Sequence, residues 1–272
     1  MPNTIANINT LNTWFKKHPR VLVALSGGVD SCLMAYMARR ELGKQNAVAV
    51  ISNSASLKNK DLSDARQFAD RYDIELIEID ANEINDKNYR ANPVNRCYFC
   101  KTNLYQTMQE LAQNAYPDYV IINGNNHDDL GDYRPGMQAA DEFKVYSPLL
   151  ECKINKDSIR HMSKHFNLSV WDKPASPCLS SRFPYGEAIS AAKLLMVEKA
   201  EDYLNTNGFD EVRVRYINGM ASLEVPKNEI NTLQSMFTAE FKKQITDMGF
   251  TDAGIDEEGL VSGKLNRNIQ TK

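Results

Sequence analysis

The stretch VLVALSGGVDSCLMAYMA, residues 21–38, places a glycine pair between an apolar run and a segment with apolar residues at helical spacing. Residues 20–26 predict a strand buried on both faces, and residues 30–42 predict a helix. Glycines let the backbone approach oxyanions without a Cβ clash, and the unpaired amides at a helix start favour phosphate. The sequence therefore predicts a phosphate-binding loop formed by Ser26, Gly27, Gly28, Val29, Asp30 and Ser31.

A glycine pair alone would indicate no more than a tight strand-to-helix turn capped by Ser26. The full string S-G-G-x-D-S behind a buried strand is more specific. It also differs from the G-x-x-x-x-G-K-[ST] loop, which uses a lysine on the terminal phosphates and has no acidic residue at this place.

The same alternation of strand and helix continues outward from this loop. Further strands are predicted at 47–52, 74–80 and 118–124, and further helices at 61–72 and 98–115. Strand and helix repeated in this order are typical of a mostly parallel, doubly wound α/β sheet. Ligands of such sheets bind beyond the carboxyl ends of the strands, which directs attention to the loops that follow them.

A different pattern follows the segment VWDKPASPCLSSRFPYGEAIS, residues 170–190, whose three prolines and several serines indicate a linker or an active-site loop. Beyond it we predict a helix at about 188–206, a hairpin turning at Asn218 and Gly219, a helix at about 227–247 and a short strand near 250–255. The sequence thus predicts a large α/β domain at 1–175 and a smaller α+β domain at 176–272.

Composition narrows the class of protein. The chain has 272 residues, 42% hydrophobic and 25% charged, with a net charge of −3, which is ordinary for a globular protein. That balance does not suggest the basic face that a nucleic-acid binder needs. The sequence has neither a secretory signal nor an apolar run long enough to span a membrane, so we expect a cytoplasmic protein without a membrane partner. We also expect a homo-oligomer, of an order that the sequence does not specify.

The string SGGVDS resembles the signature of the N-type ATP pyrophosphatases, whose fold is the HUP-type α/β domain. The resemblance implies that ATP binds in the loop and that pyrophosphate leaves while a carboxylate or an amide-like oxygen is adenylated. It implies Mg²⁺ as well, held by Asp30, because a carboxylate beside a polyphosphate needs a bridging hard cation. Lys101 resembles a family residue near the phosphates.

Two further motifs, NGNNHDDLGDYRPGMQAA at 123–140 and ASPCLSSRFPYG at 175–186, resemble those of the LarE family. These are ATP-dependent sulfur transferases that build the nickel-pincer nucleotide cofactor of lactate racemase. The resemblance implies that a carboxylate of a pyridinium mononucleotide is adenylated by MgATP and that sulfur then displaces AMP to leave a thiocarboxylate. A tRNA thiolase of the same superfamily is an alternative that the acidic pI opposes, and a nucleotide-binding regulatory module without turnover is another.

The residues expected to bind substrate lie in these motifs and in the strand VRVRY, residues 212–216. Arg213 and Arg215 are two apart, so their side chains share a face, and their guanidinium groups suit a phosphate or a carboxylate. A solvated basic strand face is the alternative. The other candidates are Asp128, Asp129, Asp132, Arg134, Ser181 and Arg182. The three aspartates could instead only cap a helix or turn.

The five cysteines raise the question of the sulfur source. Cys97 and Cys100 form a C-x-x-C pair, which in a cytoplasmic chain indicates metal or redox chemistry more than a disulfide. With Cys178 they resemble the three-cysteine, cluster-bearing form of these enzymes, which implies a 4Fe-4S cluster with one open iron. The alternative is a sacrificial Cys178, although that residue lies four positions before Arg182, where the sacrificial pattern has five.

Other uses of the cysteines have less support. A structural zinc site needs a fourth ligand, for which His127 is the best candidate, and no redox-type context surrounds the pair for a thioredoxin-like couple. Cys32 is expected to be a small core residue. Cys152 is expected to be structural.

Overall fold

The computed structural model describes residues 4–131, 134–174, 176–261 and 263–268. The chain divides into two units, each made of segments that are not contiguous in sequence. One comprises the described residues within Met1–Glu83 and Cys97–Ser176, and the other those within Ile84–Arg96 and Pro177–Lys272. The segment 84–96 therefore groups with the C-terminal part of the chain. No helix among the described residues is long and apolar enough to cross a membrane.

The helices are α1 (Thr4–Lys17), α2 (Val29–Leu42), α3 (Asn59–Arg71), α4 (Lys87–Arg90), α5 (Arg96–Ala115), α6 (Pro135–Glu142), α7 (Pro148–Glu151), α8 (Lys156–His165), α9 (Ala191–Thr206), α10 (Ile230–Met236) and α11 (Ala239–Thr246). The strands are β1 (Val21–Ala24), β2 (Ala47–Ser52), β3 (Glu75–Ile79), β4 (Val120–Ile122), β5 (Arg213–Ile217), β6 (Met220–Glu224) and β7 (Asp252–Ile255). Short 3-10 turns lie at His127–Gly131 and Leu179–Arg182.

The first unit contains a four-stranded sheet of order β3-β2-β1-β4 in which every pairing is parallel. Alternate residues of β1 enter separate cores on the two faces. Val21 and Val23 pack with α1, α2, α3 and α8, while Leu22 and Ala24 pack with residues of α5 and α6. Both faces of the central strand are therefore covered, which explains its continuous apolar run. The predicted doubly wound α/β fold is confirmed.

The second unit contains the hairpin β5–β6, with β7 parallel to β6. The predicted hairpin turn is confirmed, since Asn218 and Gly219 both have positive φ, as a two-residue turn of this type requires. The single helix predicted at about 227–247 is wrong: it is divided into α10 and α11. Thr238 is the cause, because its side chain accepts a hydrogen bond from the amide of Phe241 and starts a new helix.

Candidate active site

The predicted phosphate loop lies at the carboxyl end of β1 and leads directly into α2. Gly27 has a φ of +74°, in the left-handed region that side chains disfavour. Gly28 precedes the helix in an extended conformation, and no side chain caps the helix start. The first amides of α2 therefore point out of the helix without a side-chain acceptor, as an anion site at a helix N-terminus requires.

Two serine hydroxyls hold the loop in shape. The Oγ of Ser31 accepts a hydrogen bond from the amide of Ser26 at 3.1 Å and lies 3.0 Å from the Ser26 Oγ. The same Ser31 hydroxyl donates to the carbonyl of Gly28 at 3.1 Å. The loop is thus braced before any ligand arrives, so less conformational entropy remains to be lost when an anion binds.

Asp30, in the first turn of α2, has two oxygens in different surroundings. Oδ2 accepts a 2.5 Å hydrogen bond from the ammonium of Lys156. Oδ1 is buried and has no hydrogen-bond partner among the described residues. A buried carboxylate oxygen without a partner is costly unless a ligand satisfies it. A hard cation such as Mg²⁺ takes oxygen ligands of this kind, so Asp30 fits the cation that the sequence motif implies.

Lys156 is a part of this site that sequence reasoning missed. It is the first residue of α8, its ammonium reaches Asp30, and its own backbone amide donates to Oδ2 of Asp128 at 2.9 Å. The sequence signal was its position after Asn155, whose side chain caps α8. Its partner Asp30 is 126 residues away along the chain. Lys156 therefore adds a positive charge beside the phosphate loop.

Gly124, directly beyond β4, allows close contact with the loop helix. A Cβ at this position would lie 2.8 Å from the amide nitrogen of Ser31. Since backbone cannot yield to such a contact, only glycine fits between the end of β4 and the start of α2.

The acidic loop that follows is tied to its surroundings by hydrogen bonds. The Asp129 carboxylate is buried, accepts a hydrogen bond from the amide of Asn126 and forms a 2.9 Å ion pair with Arg134. Asp128 is exposed, and its carboxylate accepts a hydrogen bond from the backbone amide of Lys156. Asp132 lies outside the described residues. The ion pair with Arg134 suits Asp129 to orienting that arginine.

Lys101, on α5, packs against Gly136, the second residue of α6. A Cβ at Gly136 would come within 3.0 Å of the Lys101 Cγ. The Lys101 ammonium is 5.8 Å from the ring centroid of Tyr105. Its position near phosphates, which the resemblance implies, stays a prediction.

A second missed lysine, Lys173, sits between two carboxylates of α3. Its ammonium is 3.1 Å from Asp61 and 3.3 Å from Asp64. Burial acts to lower the pKa of Lys173, but these two carboxylates outweigh it and raise the pKa. Ser176 also donates to Asp61, at 2.9 Å. The carbonyl of Asp61 lies within 3.6 Å of the position that a Cβ on Gly27 would take, so this cluster adjoins the phosphate loop.

The cysteines fall into two classes. Burial raises the pKa of Cys32 to about 12, and burial with the nearby Glu151 raises that of Cys152 to about 11. These two thiols therefore remain protonated and unreactive, as expected of structural residues. Cys97 and Cys178 are exposed, and none of the five cysteines forms a disulfide.

Cys97 and Cys100 are three residues apart in the first turn of α5, so they share one face of the helix. Their thiols are soft donors that suit iron, and the pair fits two of the three ligands of the implied cluster. Both belong to the first unit, whereas Cys178 belongs to the second. Within the described ranges, no group of three or more His, Cys, Asp or Glu side chains is assembled as a metal site.

Three arginines of the second unit lie close to one another. Arg182 and Glu201 form a buried ion pair, with each side chain 2% exposed and 2.7 Å between Nε and Oε1. Arg215 is paired with the buried Glu224 at 2.6 Å, so a solvated strand face is wrong for this residue. Neither glutamate was identified from the sequence, where each resembles an ordinary surface charge.

Arg213 differs from its two neighbours. Burial lowers its pKa, and the positive charges of Arg182 and Arg215 lower it further. No ion pair or hydrogen bond of its side chain is found within the part of the chain that the structure describes. The described ion pairs of this cluster, which also include Lys264 with Glu224 at 3.1 Å, leave out Arg213. Its guanidinium is therefore the one available to an anionic ligand.

The loop that carries Cys178 is anchored by the same arginines. The Nη1 of Arg182 donates to the carbonyls of Pro177 and Cys178 and to the hydroxyl of Ser181. Arg215 donates to the carbonyl of Ser181 at 3.0 Å. With all of its nitrogens engaged, Arg182 acts within the fold as a brace for the cysteine loop; its contact with substrate stays a prediction.

The segment 84–96 also supports this loop. Nη1 of Arg96 donates to the carbonyl of Ser180 at 2.8 Å and to Oδ1 of Asn92 at 2.7 Å. Asn92 in turn donates to the carbonyl of Pro184 at 2.7 Å. The hydroxyl of Tyr89 lies 2.5 Å from that of Ser180. All of these contacts lie within the second unit, and the polar groups that make them are buried, apart from the part-exposed carbonyl of Pro184.

Comparisons with known proteins found a family model and several relatives that resemble this chain. The NAD synthase family model matches residues 9–116. An uncharacterized protein of Synechocystis sp. is 46% identical over 96% of this chain and 97% of its own length. The pyridinium-3,5-bisthiocarboxylic acid mononucleotide synthase of Lactiplantibacillus plantarum is 32% identical over 96% of this chain and 94% of its own. An uncharacterized protein of Methanocaldococcus jannaschii is 27% identical over 92% and 94%.

Proposed function

Because the chain belongs to the LarE family, the family of the pyridinium-3,5-bisthiocarboxylic acid mononucleotide synthase, we propose that it is an ATP-dependent sulfur transferase acting on a pyridinium mononucleotide. A carboxylate oxygen of the substrate attacks the α-phosphorus of ATP and pyrophosphate leaves. Sulfide then attacks the acyl carbon of the adenylate, and AMP leaves with its oxygen. The product is a thiocarboxylate, and neither step requires an oxidant or a reductant.

The observation that carries the proposal is the Oδ1 of Asp30, which is buried and has no hydrogen-bond partner among the described residues, at a helix start that no side chain caps. The loop from Ser26 to Ser31 offers amides and hydroxyls to the phosphates of ATP, and Asp30 with Mg²⁺ would hold the departing pyrophosphate. Lys156 lies on the same carboxylate and can neutralise charge on the phosphates. Mg²⁺ would supply charge neutralisation for the leaving pyrophosphate.

The second unit contains candidate substrate-binding residues of its own. Arg213, whose side chain forms no ion pair among the described residues, is the group that we assign to the nucleotide phosphate or to a substrate carboxylate. Glu201 and Glu224 orient Arg182 and Arg215 around it. Ser181, Arg134 and the acidic-loop carboxylates Asp128, Asp129 and Asp132 complete the proposed substrate contacts.

For the sulfur source we propose a 4Fe-4S cluster held by Cys97, Cys100 and Cys178. Three thiolates leave one iron open, and that iron would supply a binding place for the sulfide to be transferred. Cys97 and Cys178 are exposed and form no disulfide, so both thiols are available to a cluster that is inserted after folding. The protein would then act catalytically and would keep all of its cysteines.

Metal and sulfide analysis of the anaerobically purified and reconstituted protein tests this directly. We expect about four irons and four sulfides per chain and the broad visible absorbance of a cluster. Cys97→Ala, Cys100→Ala and Cys178→Ala should each abolish cluster and thiocarboxylate formation, whereas Cys152→Ala should preserve both. Full activity of the first two variants would reject the cluster and leave Cys178 as a sacrificial donor, detectable by the loss of one sulfur from its peptide.

The adenylation step is tested separately by pyrophosphate release. ATP and the pyridinium carboxylate should together yield pyrophosphate in a manner that depends on Asp30 but not on any cysteine. Binding of ATP without pyrophosphate release, whatever the carboxylate, would contradict the proposed reaction and favour a regulatory nucleotide-binding module.

A further inference from the structure

Lys156 and Asp30 form an ion pair beside the phosphate loop, and both residues belong to the first unit. The Lys156 ammonium lies 2.5 Å from Oδ2 of Asp30. Oδ1 of the same carboxylate is buried and has no hydrogen-bond partner among the described residues. Because both oxygens belong to one carboxylate, a cation on Oδ1 would lie within a few ångströms of the ammonium. Positive charges that close repel each other in a partly buried site, so the ammonium and a metal ion compete for Asp30.

The ammonium of Lys156 is free to move although the backbone that carries it is fixed. The amide of Lys156 donates to Asp128, and the side chain of Asn155 caps the helix that begins at Lys156. The Lys156 side chain itself is 39% exposed, against 23% for that of Asp30. A lysine stem has four carbons and several accessible rotamers. The ammonium can therefore leave Asp30 while the start of α8 stays in place.

A nucleotide phosphate would give this ammonium a second acceptor. Asp30 is the second residue of α2, and no side chain caps the start of that helix, so its unpaired amides favour an anion close to Asp30. A lysine ammonium is a compact point charge that binds phosphate without a fixed fork geometry. When a metal–nucleotide complex binds, Lys156 thus loses one anionic partner and gains another.

We propose that Lys156 is the resident counter-ion of Asp30, which the metal ion of a metal–nucleotide complex displaces and the phosphates of that complex take up. Metal alone binds weakly, because it leaves the ammonium without an anionic partner. Metal and nucleotide together bind well, because the phosphates replace that partner, and each ligand strengthens the binding of the other by the same factor. The inference rests on the proposed function for the identity of the nucleotide, but not for the exchange at Asp30.

Binding of Mn²⁺ to the metal-free, full-length protein, measured by electron paramagnetic resonance without nucleotide, tests the first half of the exchange. Mn²⁺ serves as a probe for Mg²⁺ because both ions prefer oxygen ligands. Lys156→Met should raise the affinity for Mn²⁺ about fivefold, the upper end of what a part-exposed ion pair contributes. Adding Asp30→Asn to Lys156→Met should remove this gain, which assigns the bound ion to Asp30.

Calorimetry with α,β-methylene-ATP, which resists cleavage at the α-phosphorus, tests the second half at saturating Mg²⁺. Lys156→Met should weaken binding of this analogue about tenfold, the effect of losing a hydrogen bond to a charged group, so the two affinities change in opposite directions. Lys156→Arg should restore both, because a guanidinium pairs with carboxylate or phosphate. Lys153→Met is the matched control: Lys153 is exposed just before α8 and is not paired with Asp30 among the described residues, so both affinities should stay within about twofold.

Far-ultraviolet circular dichroism verifies that each variant is folded, and Lys156→Gln, which also removes the charge, replaces Lys156→Met if the latter does not fold. An unchanged affinity for Mn²⁺ would make Lys156 a phosphate ligand only and overturn the exchange. Weaker binding of both ligands would overturn it too, because a merely structural lysine has that effect.

These measurements use neither the pyridinium substrate nor any cysteine, so they separate the exchange from the proposed function. Opposite changes of the two affinities in a protein that releases no pyrophosphate with the pyridinium carboxylate would leave the exchange standing and reject the adenylation. Pyrophosphate release by a protein whose affinity for Mn²⁺ is the same with Lys156→Met as with Lys153→Met would reject the exchange and leave the adenylation standing.

Discussion

The buried ion pair between Arg182 and Glu201 yields the sharpest stability prediction. Glu201→Gln keeps the shape of the side chain but removes the charge that two guanidinium nitrogens contact, at 2.7 and 3.1 Å. It also replaces one acceptor oxygen by an NH₂ group facing a donor. Both partners are 2% exposed, so water cannot compensate. We expect the free energy of unfolding to fall by about 3 kcal/mol, the lower end of the effect of breaking a buried pair.

Urea denaturation followed by far-ultraviolet circular dichroism measures this change. Asp202→Asn is the matched control, because Asp202 is the next residue of α9 and is exposed, and its effect should stay within about 0.5 kcal/mol. The double variant Arg182→Met, Glu201→Leu should cost less than the sum of its two single changes, because it leaves no uncompensated charge, even though the loop carbonyls and the amide of Val214 lose their partners. A Glu201→Gln effect no larger than that of the control, or a double variant that costs the sum of its two single changes, would refute the reasoning.

Three further outcomes follow from the geometry. Gly124→Ala should destabilise the fold by about 1–3 kcal/mol and weaken ATP binding measured by calorimetry. Gly131→Ala, whose Cβ would meet nothing within 4 Å, is the control and should do neither. Equal effects of the two substitutions would contradict the close contact of Gly124 with α2. Lys173→Met should lower the free energy of unfolding at neutral pH. Because the folded state raises the pKa of Lys173, this loss relative to wild type should persist below about pH 10.4 and shrink as the pH rises further. A loss that grew with pH would contradict the direction of the pKa shift. Alkylation at pH 8, followed by mass spectrometry, should modify Cys178 while Cys32, with a pKa of about 12, stays unmodified; rapid modification of Cys32 in folded protein would contradict its burial.

The parts of the fold that the sequence predicted are those that local patterns encode. The strand from Val21 to Ala24 and the helix that begins at Val29 follow from an apolar run and a helical period on either side of two glycines. The Asn218–Gly219 turn follows from the positive φ that both residues tolerate. In each case the deciding interactions lie within a few residues, so the sequence alone is enough.

Where local signals competed, the sequence-based prediction was less accurate. The stretch from Ile230 to Thr246 has helical periodicity throughout, but Thr238 caps a new helix in its middle. Ser and Thr side chains can either continue a helix or cap one, and tertiary packing selects between the two.

By itself, the sequence determined the α/β sheet, and it predicted the phosphate loop with Asp30 and the thiols that we propose for sulfur chemistry. Only the tertiary structure decided which charges pair: Lys156 with Asp30, Lys173 with Asp61 and Glu201 with Arg182. It also decided that the residues leading to Cys97 group with the unit that carries Cys178. The physical reason is that a side chain's charge reveals neither its burial nor its partner, and both depend on contacts between segments far apart along the chain.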